Sequence, residues 1–226
     1  MSIAFIDIDR TLLSVNSGTL WVRRERELGF LSLSQALRAA VWIGRYHLGF
    51  AAPEQTIGVA IRSLEGVPVG PFAARAAAFY ADCVQPNIRP GARAAIETHR
   101  ARGDALVLLT SSSNYVADPL VTELRLDGAL CNRLEVGPDG RHTGRPTGRV
   151  CFGEGKLDHA AAEAKRRGVS LRDCTFYTDS FSDAPVLEVV GQPVAVNPDP
   201  RLRRLARRRG WRMVDWGEPR KPFHAT

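Results

Sequence analysis

Short apolar runs separated by longer amphipathic stretches organise this chain. Cys174-Thr175-Phe176-Tyr177 and Val194-Ala195-Val196 are short strand-like runs, while Ile3-Ala4-Phe5-Ile6 and Ala105-Leu106-Val107-Leu108-Leu109 are continuous and apolar rather than alternating. Runs of that kind belong to strands covered on both faces, as in the middle of a parallel sheet. Between them lie segments with helical punctuation. Ala92 to Arg102 ends at Gly103, Gly153-Glu154-Gly155-Lys156 opens a helix reaching about Arg167, and a helical segment spans Pro185 to Val190. Asp127 to Arg149 reads as a strand and a hairpin, with its turn at Gly137-Pro138-Asp139-Gly140. Strands alternating with helices predict a doubly wound, Rossmann-like α/β sheet.

The stretch from Ser14 to about Asn87 departs from that alternation. Leu20-Trp21 with Leu28, Leu33 with Ala36-Leu37, Ala40-Val41, and Ile57 with Ala60-Ile61-Leu64 recur at three- and four-residue intervals, the period of an amphipathic helix. Ser32 or Ser34 and Pro53 read as helix starts, and Gly29, Gly49 and Gly66 as stops. The expectation is a core domain made of residues 1–13 and 88–226, with residues 14–87 inserted as a helical domain. Arg23, Arg24 and Arg26 of the insertion read as a solvated face.

Composition narrows the classes. With 226 residues, 44% hydrophobic and 24% charged, the chain can bury a full core, so disordered and collagenous readings drop out. The net charge of +7 favours anionic partners of any kind. Cys83, Cys131, Cys151 and Cys174 have no metal spacing and read as reduced and mostly buried. The five histidines likewise share no ligand spacing. No apolar run approaches a membrane span and no leader pattern precedes the first strand, so the default location is cytoplasmic. The arginines of the segment 201–209 coat an outer face around an inward stripe of Leu202 and Leu205-Ala206, which argues against a dedicated nucleic-acid site. Trp211 and Trp216 are expected to pack the end of the sheet.

The candidate chemistry collects where the apolar runs stop. Asp7 and Asp9 stand two apart at the end of the first strand, where a strand's period aims both toward one side. Two such charges repel unless a cation lies between them or one is protonated. A hard-metal site, a general acid/base pair, or both, would satisfy them at the carboxyl end of a strand. The second run ends in Thr110-Ser111-Ser112-Ser113-Asn114. That is either an anion cradle at a helix mouth or ordinary N-capping. Lys156 opposes the dipole of the helix it opens and wants an anionic partner. Asp179 and Asp183 close the third run.

Taken in order, Asp-x-Asp-x-Thr, Thr/Ser after a second strand, a lone Lys and Asp-Ser-x-x-Asp resemble the four motifs of the haloacid dehalogenase superfamily of phosphatases. The helical insertion after the first motif resembles the cap of its phosphoserine-phosphatase-like branch. The resemblance implies a Mg²⁺-dependent phosphomonoester hydrolase. In it Asp7 would be the nucleophile and a metal ligand, and Asp9 the general acid/base with its carbonyl on the metal. Thr110 with the amide of Ser111 would bind the phosphoryl group, Ser111 being the one-residue alternative for the hydroxyl. Lys156 would neutralise charge, Asp179 would bind Mg²⁺ directly, and Asp183 would hold the metal or its water. Phosphoserine phosphatases carry an acid just after the first motif, whereas Ser14-Val15-Asn16-Ser17 has none. Arg62 lies near, without matching, the cap arginine that would take a substrate carboxylate, and Ser111-Ser112-Ser113 stand where glycines are usual. The implied partner is therefore a small phosphomonoester of another amino alcohol, histidinol, a sugar or polyol, or a lipid precursor, with no nucleic acid. Arg10 replaces a common glycine and adds a positive charge near the pocket or on its rim. Phosphotransfer on the same core is an alternative. Another is a non-catalytic basic module binding nucleic acid or anionic membrane through its arginines and the Trp42, Tyr46, Phe50 stretch.

Overall fold

A computed structural model of the chain describes residues 2–33 and 53–219. The expected periodic pairs Ala36-Leu37 and Ala40-Val41, the start at Ser34, the stop at Gly49, the Trp42, Tyr46, Phe50 stretch, His47 and His224 lie outside the described residues.

Six strands make the central sheet: β1 (Ile3–Ile6), β2 (Ala105–Ser113), β3 (Gly128–Asn132), β6 (Thr175–Thr178), β7 (Gln192–Val196) and β8 (Arg212–Val214). Their order is β3-β2-β1-β6-β7-β8, with every neighbouring pair parallel. The two missing numbers, β4 (Leu134–Val136) and β5 (His142–Pro146), pair antiparallel as a separate hairpin. The strand order reverses at β1, so the crevice between the carboxyl ends of β1 and β6 is the topological switch point, where such sheets bind ligands.

Strand alternation builds the two cores. Ala4 and Ile6 of β1 and Leu106 and Leu108 of β2 face one layer, with Ile96 of α4 (Pro90–Ala101) and Leu120 of α5 (Asn114–Leu124). Ile3, Phe5, Val107 and Leu109 face the other, with Ala160 and Ala164 of α6 (Glu154–Arg166) and Leu202 and Ala206 of α8 (Pro200–Arg209). Every side chain of β1 is fully buried, and each Ile or Phe contributes about 1.5–3 kcal/mol by leaving water. The continuous apolar run is thus the signature of a strand with no solvent face. Trp216 and Trp211 pack into opposite layers, Trp216 against the ring of Tyr177 at 5.0 Å.

Three α-helices are described between residues 14 and 87: α1 (Ser17–Glu27), α2 (Pro53–Arg62) and α3 (Val69–Phe79). The chain leaves and re-enters the sheet side by side, Leu13 pairing antiparallel with Ile88 and Ser14 N–H donating to the Asn87 carbonyl. A second seam joins the insertion to the β4–β5 hairpin. Gly66 and Val69 donate to the carbonyls of His142 and Gly140, and Pro68 bridges Arg141. Phe72 closes this joint by packing on Trp21, Tyr115 and His142 at 4.9–5.3 Å between ring centres. Among the described residues no helix is long and apolar enough to cross a membrane. Cys131, Cys151 and Cys174 are buried free thiols, and Cys83 is half-buried.

Three local expectations need correction. Strand β2 runs on through Ser113, beyond Leu109, because Ser113 pairs with Asn132 across a bulge in β3 pairing and the Asn132 amide donates to the Ser111 carbonyl. The segment 185–190 supplies only a one-turn helix, α7 (Ala184–Leu187). Arg24 is not part of a free solvated face: its guanidinium pairs with Asp82 at 2.7 Å, whereas Arg23 pairs in water with Glu27.

Candidate active site

At the carboxyl end of β1 the backbone is still tied to the sheet, Asp7 N–H donating to the Tyr177 carbonyl of β6. Immediately afterwards the chain leaves it. Ile8–Leu12 form a wide turn closed by Leu12 N–H on the Asp7 carbonyl and Leu13 N–H on the Ile8 carbonyl. Within it Asp9 is extended and Arg10 takes a left-handed φ of 59°. The expectation that strand period aims Asp7 and Asp9 the same way is therefore corrected, since only Asp7 belongs to the strand end. Asp9 instead reaches toward the insertion, its Oδ1 accepting from Ser17 N–H at 2.7 Å and its Oδ2 from the Ser112 hydroxyl at 2.9 Å. Arg10 is exposed on the rim.

Lys156 is brought in by α6, whose first turn packs closely against the preceding loop. A Cβ on Gly155 would lie 2.2 Å from the Val150 carbonyl oxygen, so only glycine permits this approach. The Lys156 ammonium sits 2.8 Å from both Asp7 Oδ1 and Asp183 Oδ2, with all three side chains at least nine-tenths buried. This is the anionic partner that its position at a helix start called for. Asp179 and Asp183 arrive from the turn after β6. Asp183 Oδ2 also accepts from the Thr178 hydroxyl at 2.6 Å, while its Oδ1 is buried without a hydrogen-bond partner. Thr11 accepts from Asp179 N–H at 2.8 Å and donates to Asp179 Oδ1 at 3.3 Å. Thr110, also buried, accepts from Ser112 N–H through its hydroxyl at 3.1 Å; Ser111 is half-buried.

The charge balance is the main physical property of this cluster. Burial pushes the Asp7 carboxyl from its ordinary 3.8 up to about 7, the nearby Asp183 adding to the effect and Lys156 opposing it. Asp179 is raised as well, first by burial and then by Asp7 and Asp183. Burial disfavours the Lys156 ammonium, but Asp183 and Asp7 together outweigh it and hold the amine above its ordinary range. Three buried carboxylates thus share one buried ammonium, and a further cation would relieve them.

The donor set fits a small hard cation. Among the described residues no three acidic, His or Cys side chains converge into a cage. Magnesium needs none, since it binds through one or two carboxylates and fills its shell with carbonyls, waters and phosphate oxygens. The orphaned Asp183 Oδ1 supplies an acceptor for one such water.

The structure therefore brings together Asp7, Asp183 and Lys156 in direct contact and places Asp179, Asp9 and Thr110 on the same sheet edge. Sequence reasoning gave no role to Thr178, nor to Ser112, and quoted Thr11 only as part of a motif. For Thr178 and Thr11 the available signal was a hydroxyl residue directly before or two after an acid beyond a strand end; nothing local marks Ser112 within its serine run.

The family model for haloacid dehalogenase-like hydrolases matches residues 4–188. Phosphoserine phosphatase SerB1 of Mycobacterium tuberculosis is 32% identical over 222 residues, covering 96% of this chain and 72% of its own. A histidinol-phosphatase of Neisseria meningitidis is 26% identical, covering 95% and 99%. Among solved structures, a Bordetella pertussis protein of unknown function superposes with a TM-score of 0.86 at 30% identity, covering 96% of this chain and 99% of that one. A phospho-aspartyl intermediate analogue of phosphoserine phosphatase shares the fold at a TM-score of 0.71 and 19% identity, covering 96% and 94%.

Proposed function

The chain belongs to the haloacid dehalogenase-like hydrolases and is a phosphatase of that family, and from that premise we propose that it hydrolyses a small phosphomonoester through an aspartyl phosphate on Asp7. The observation that carries this reading is the Lys156 ammonium held between Asp7 and Asp183 at the switch point of the sheet. A buried carboxylate at that position has one oxygen tied to Lys156 and offers the other for attack on phosphorus. The new bond forms from Asp7 to phosphorus as the bond to the leaving alkoxide breaks, and Asp9 supplies the proton that the alkoxide takes up. Asp9 then removes a proton from the water that attacks the aspartyl phosphate, which returns Asp7 as a carboxylate and releases inorganic phosphate. Thr110 and the Ser111 amide hold the phosphoryl oxygens, and Lys156 balances charge as it passes between nucleophile and phosphate.

Asp7, Asp179, the Asp9 carbonyl and, directly or through water, Asp183 would hold Mg²⁺. When bound it supplies positive charge against the phosphoryl oxygens and the crowded carboxylates. Residues 14–87 act as a cap over this edge and exclude bulk water. The substrate is a small metabolite phosphate of the amino-alcohol, histidinol, sugar or lipid-precursor kind. Asn16, which caps α1 by accepting from Thr19 N–H, offers no acid to a substrate ammonium. Water is the acceptor in this reading; transfer to another hydroxyl uses the same residues.

The test is phosphate release from a panel of alkyl and aryl phosphomonoesters with Mg²⁺, for wild type and Asp7→Asn. Turnover that chelator and the substitution both abolish supports the reading. Wild type that hydrolyses none of the panel, or Asp7→Asn that keeps its rate, overturns it.

A further inference from the structure

Ser112 carries chemistry that the motif residues do not account for. It is half-buried at the end of β2 and makes three contacts that join separate parts of the site. Its hydroxyl donates to Asp9 Oδ2 at 2.9 Å, its N–H donates to the Thr110 hydroxyl at 3.1 Å, and its Oγ lies 3.4 Å from the Ser17 hydroxyl. The other Asp9 oxygen is held by Ser17 N–H, an amide at the first turn of α1 that no helical carbonyl could satisfy. One hydrogen bond leaves an aspartate free to rotate about its terminal torsion. Two bonds on different oxygens, from groups fixed on a strand end and a helix start, define the plane of the carboxyl group. A carboxylate offers about four acceptor positions, so two remain for the proton that must reach the substrate.

We propose that Ser112 is a positioning residue for Asp9, aiming the acid/base at the leaving-group oxygen by the Ser112 Oγ to Asp9 Oδ2 hydrogen bond while Ser17 N–H fixes the second oxygen. The proposal rests on the aspartyl-phosphate reading and deepens it. In the first half-reaction the Asp7-to-phosphorus bond forms, the bond from phosphorus to the ester oxygen breaks, and the Asp9 proton moves to that oxygen. An alkoxide is a poor leaving group and needs that proton, whereas p-nitrophenolate leaves without it. Misaiming Asp9 therefore slows alkyl phosphates selectively. A residue that merely supports the fold slows both alike.

The experiment compares kcat/KM, which reports formation of the phosphoenzyme, for an alkyl phosphate such as glycerol phosphate and for p-nitrophenyl phosphate. It uses wild type, Ser112→Ala and Ser112→Thr with Mg²⁺. In Ser112→Ala the alkyl rate is expected to fall roughly 10- to 100-fold, part of the 10²–10⁴ that a positioned general acid supplies, and the aryl rate less than about threefold. Ser112→Thr keeps the hydroxyl and restores most of the alkyl rate. Equal losses on both esters, or an unchanged alkyl rate, overturn the assignment while leaving the phosphatase reading intact. If Asp7→Asn, run alongside, retains turnover, the phosphatase mechanism itself fails and the role of Ser112 falls with it. Matching thermal midpoints of the three proteins confirm that folding does not confound the ratio.

Discussion

Replacing Asp7 by asparagine should abolish turnover and at the same time stabilise the metal-free protein. Asp7 is 5% exposed, and burial with the neighbouring Asp183 lifts its carboxyl from 3.8 to about 7 against the pull of Lys156. Between those two values the native protein holds a proton that the unfolded chain has already released. Stability due to this group is therefore fully present below about pH 3.8, declines as pH rises, and levels off above about pH 7. At about 1.4 kcal/mol per pH unit the full penalty is on the order of 4 kcal/mol, shared with the adjacent carboxylates. Asparagine carries no charge and removes it. The assay is urea unfolding of wild type and Asp7→Asn in chelator from pH 4 to pH 8. The variant should gain on wild type through that interval and be more stable by up to about 4 kcal/mol at pH 8. Added Mg²⁺ should then stabilise wild type and do much less for the variant. A variant less stable than wild type at pH 8, or a difference that does not change with pH, refutes the reasoning.

Lys156→Met should lose activity and destabilise the protein by about 3–5 kcal/mol near neutral pH, because it leaves buried carboxylates without their ammonium; denaturant midpoints at pH 8 check this. Gly155→Ala should push the first turn of α6 off the Val150 carbonyl, costing about 1–3 kcal/mol and lowering kcat through displaced Lys156, read by calorimetry and steady-state kinetics. Thr178→Val removes the 2.6 Å hydrogen bond to Asp183 and should cost about 1.5–3 kcal/mol by thermal unfolding.

The pattern of residues determined much of this protein without help. A short run with no polar position, bounded by turn residues, reads as a strand covered on both sides, so Ile3–Ile6 and Ala105–Leu109 read correctly as central strands, and their alternation with helices implied a parallel sheet. Polar residues at the ends of such runs had to lie at the sheet edge, which is why Asp7, Thr110, Asp179 and Asp183 could be named as a group. A lysine at a helix start is disfavoured by the dipole and favours an anionic partner, and Lys156 has two, Asp7 and Asp183. Tertiary structure decided what depends on partners distant in sequence. The strand order, and with it the switch point between β1 and β6, follows from packing that no local pattern encodes. Asp9 looked like a strand neighbour of Asp7, yet the turn after Ile6 and the competing donors at Ser17 and Ser112 rotate it away. Strand β2 outlasts its apolar run because Asn132, on the neighbouring strand, satisfies the Ser111 carbonyl. Ser112 and Thr178 are ordinary hydroxyls in the sequence, and only the fold puts an aspartate within their reach, since a hydrogen bond depends on a separation in space that sequence distance does not set.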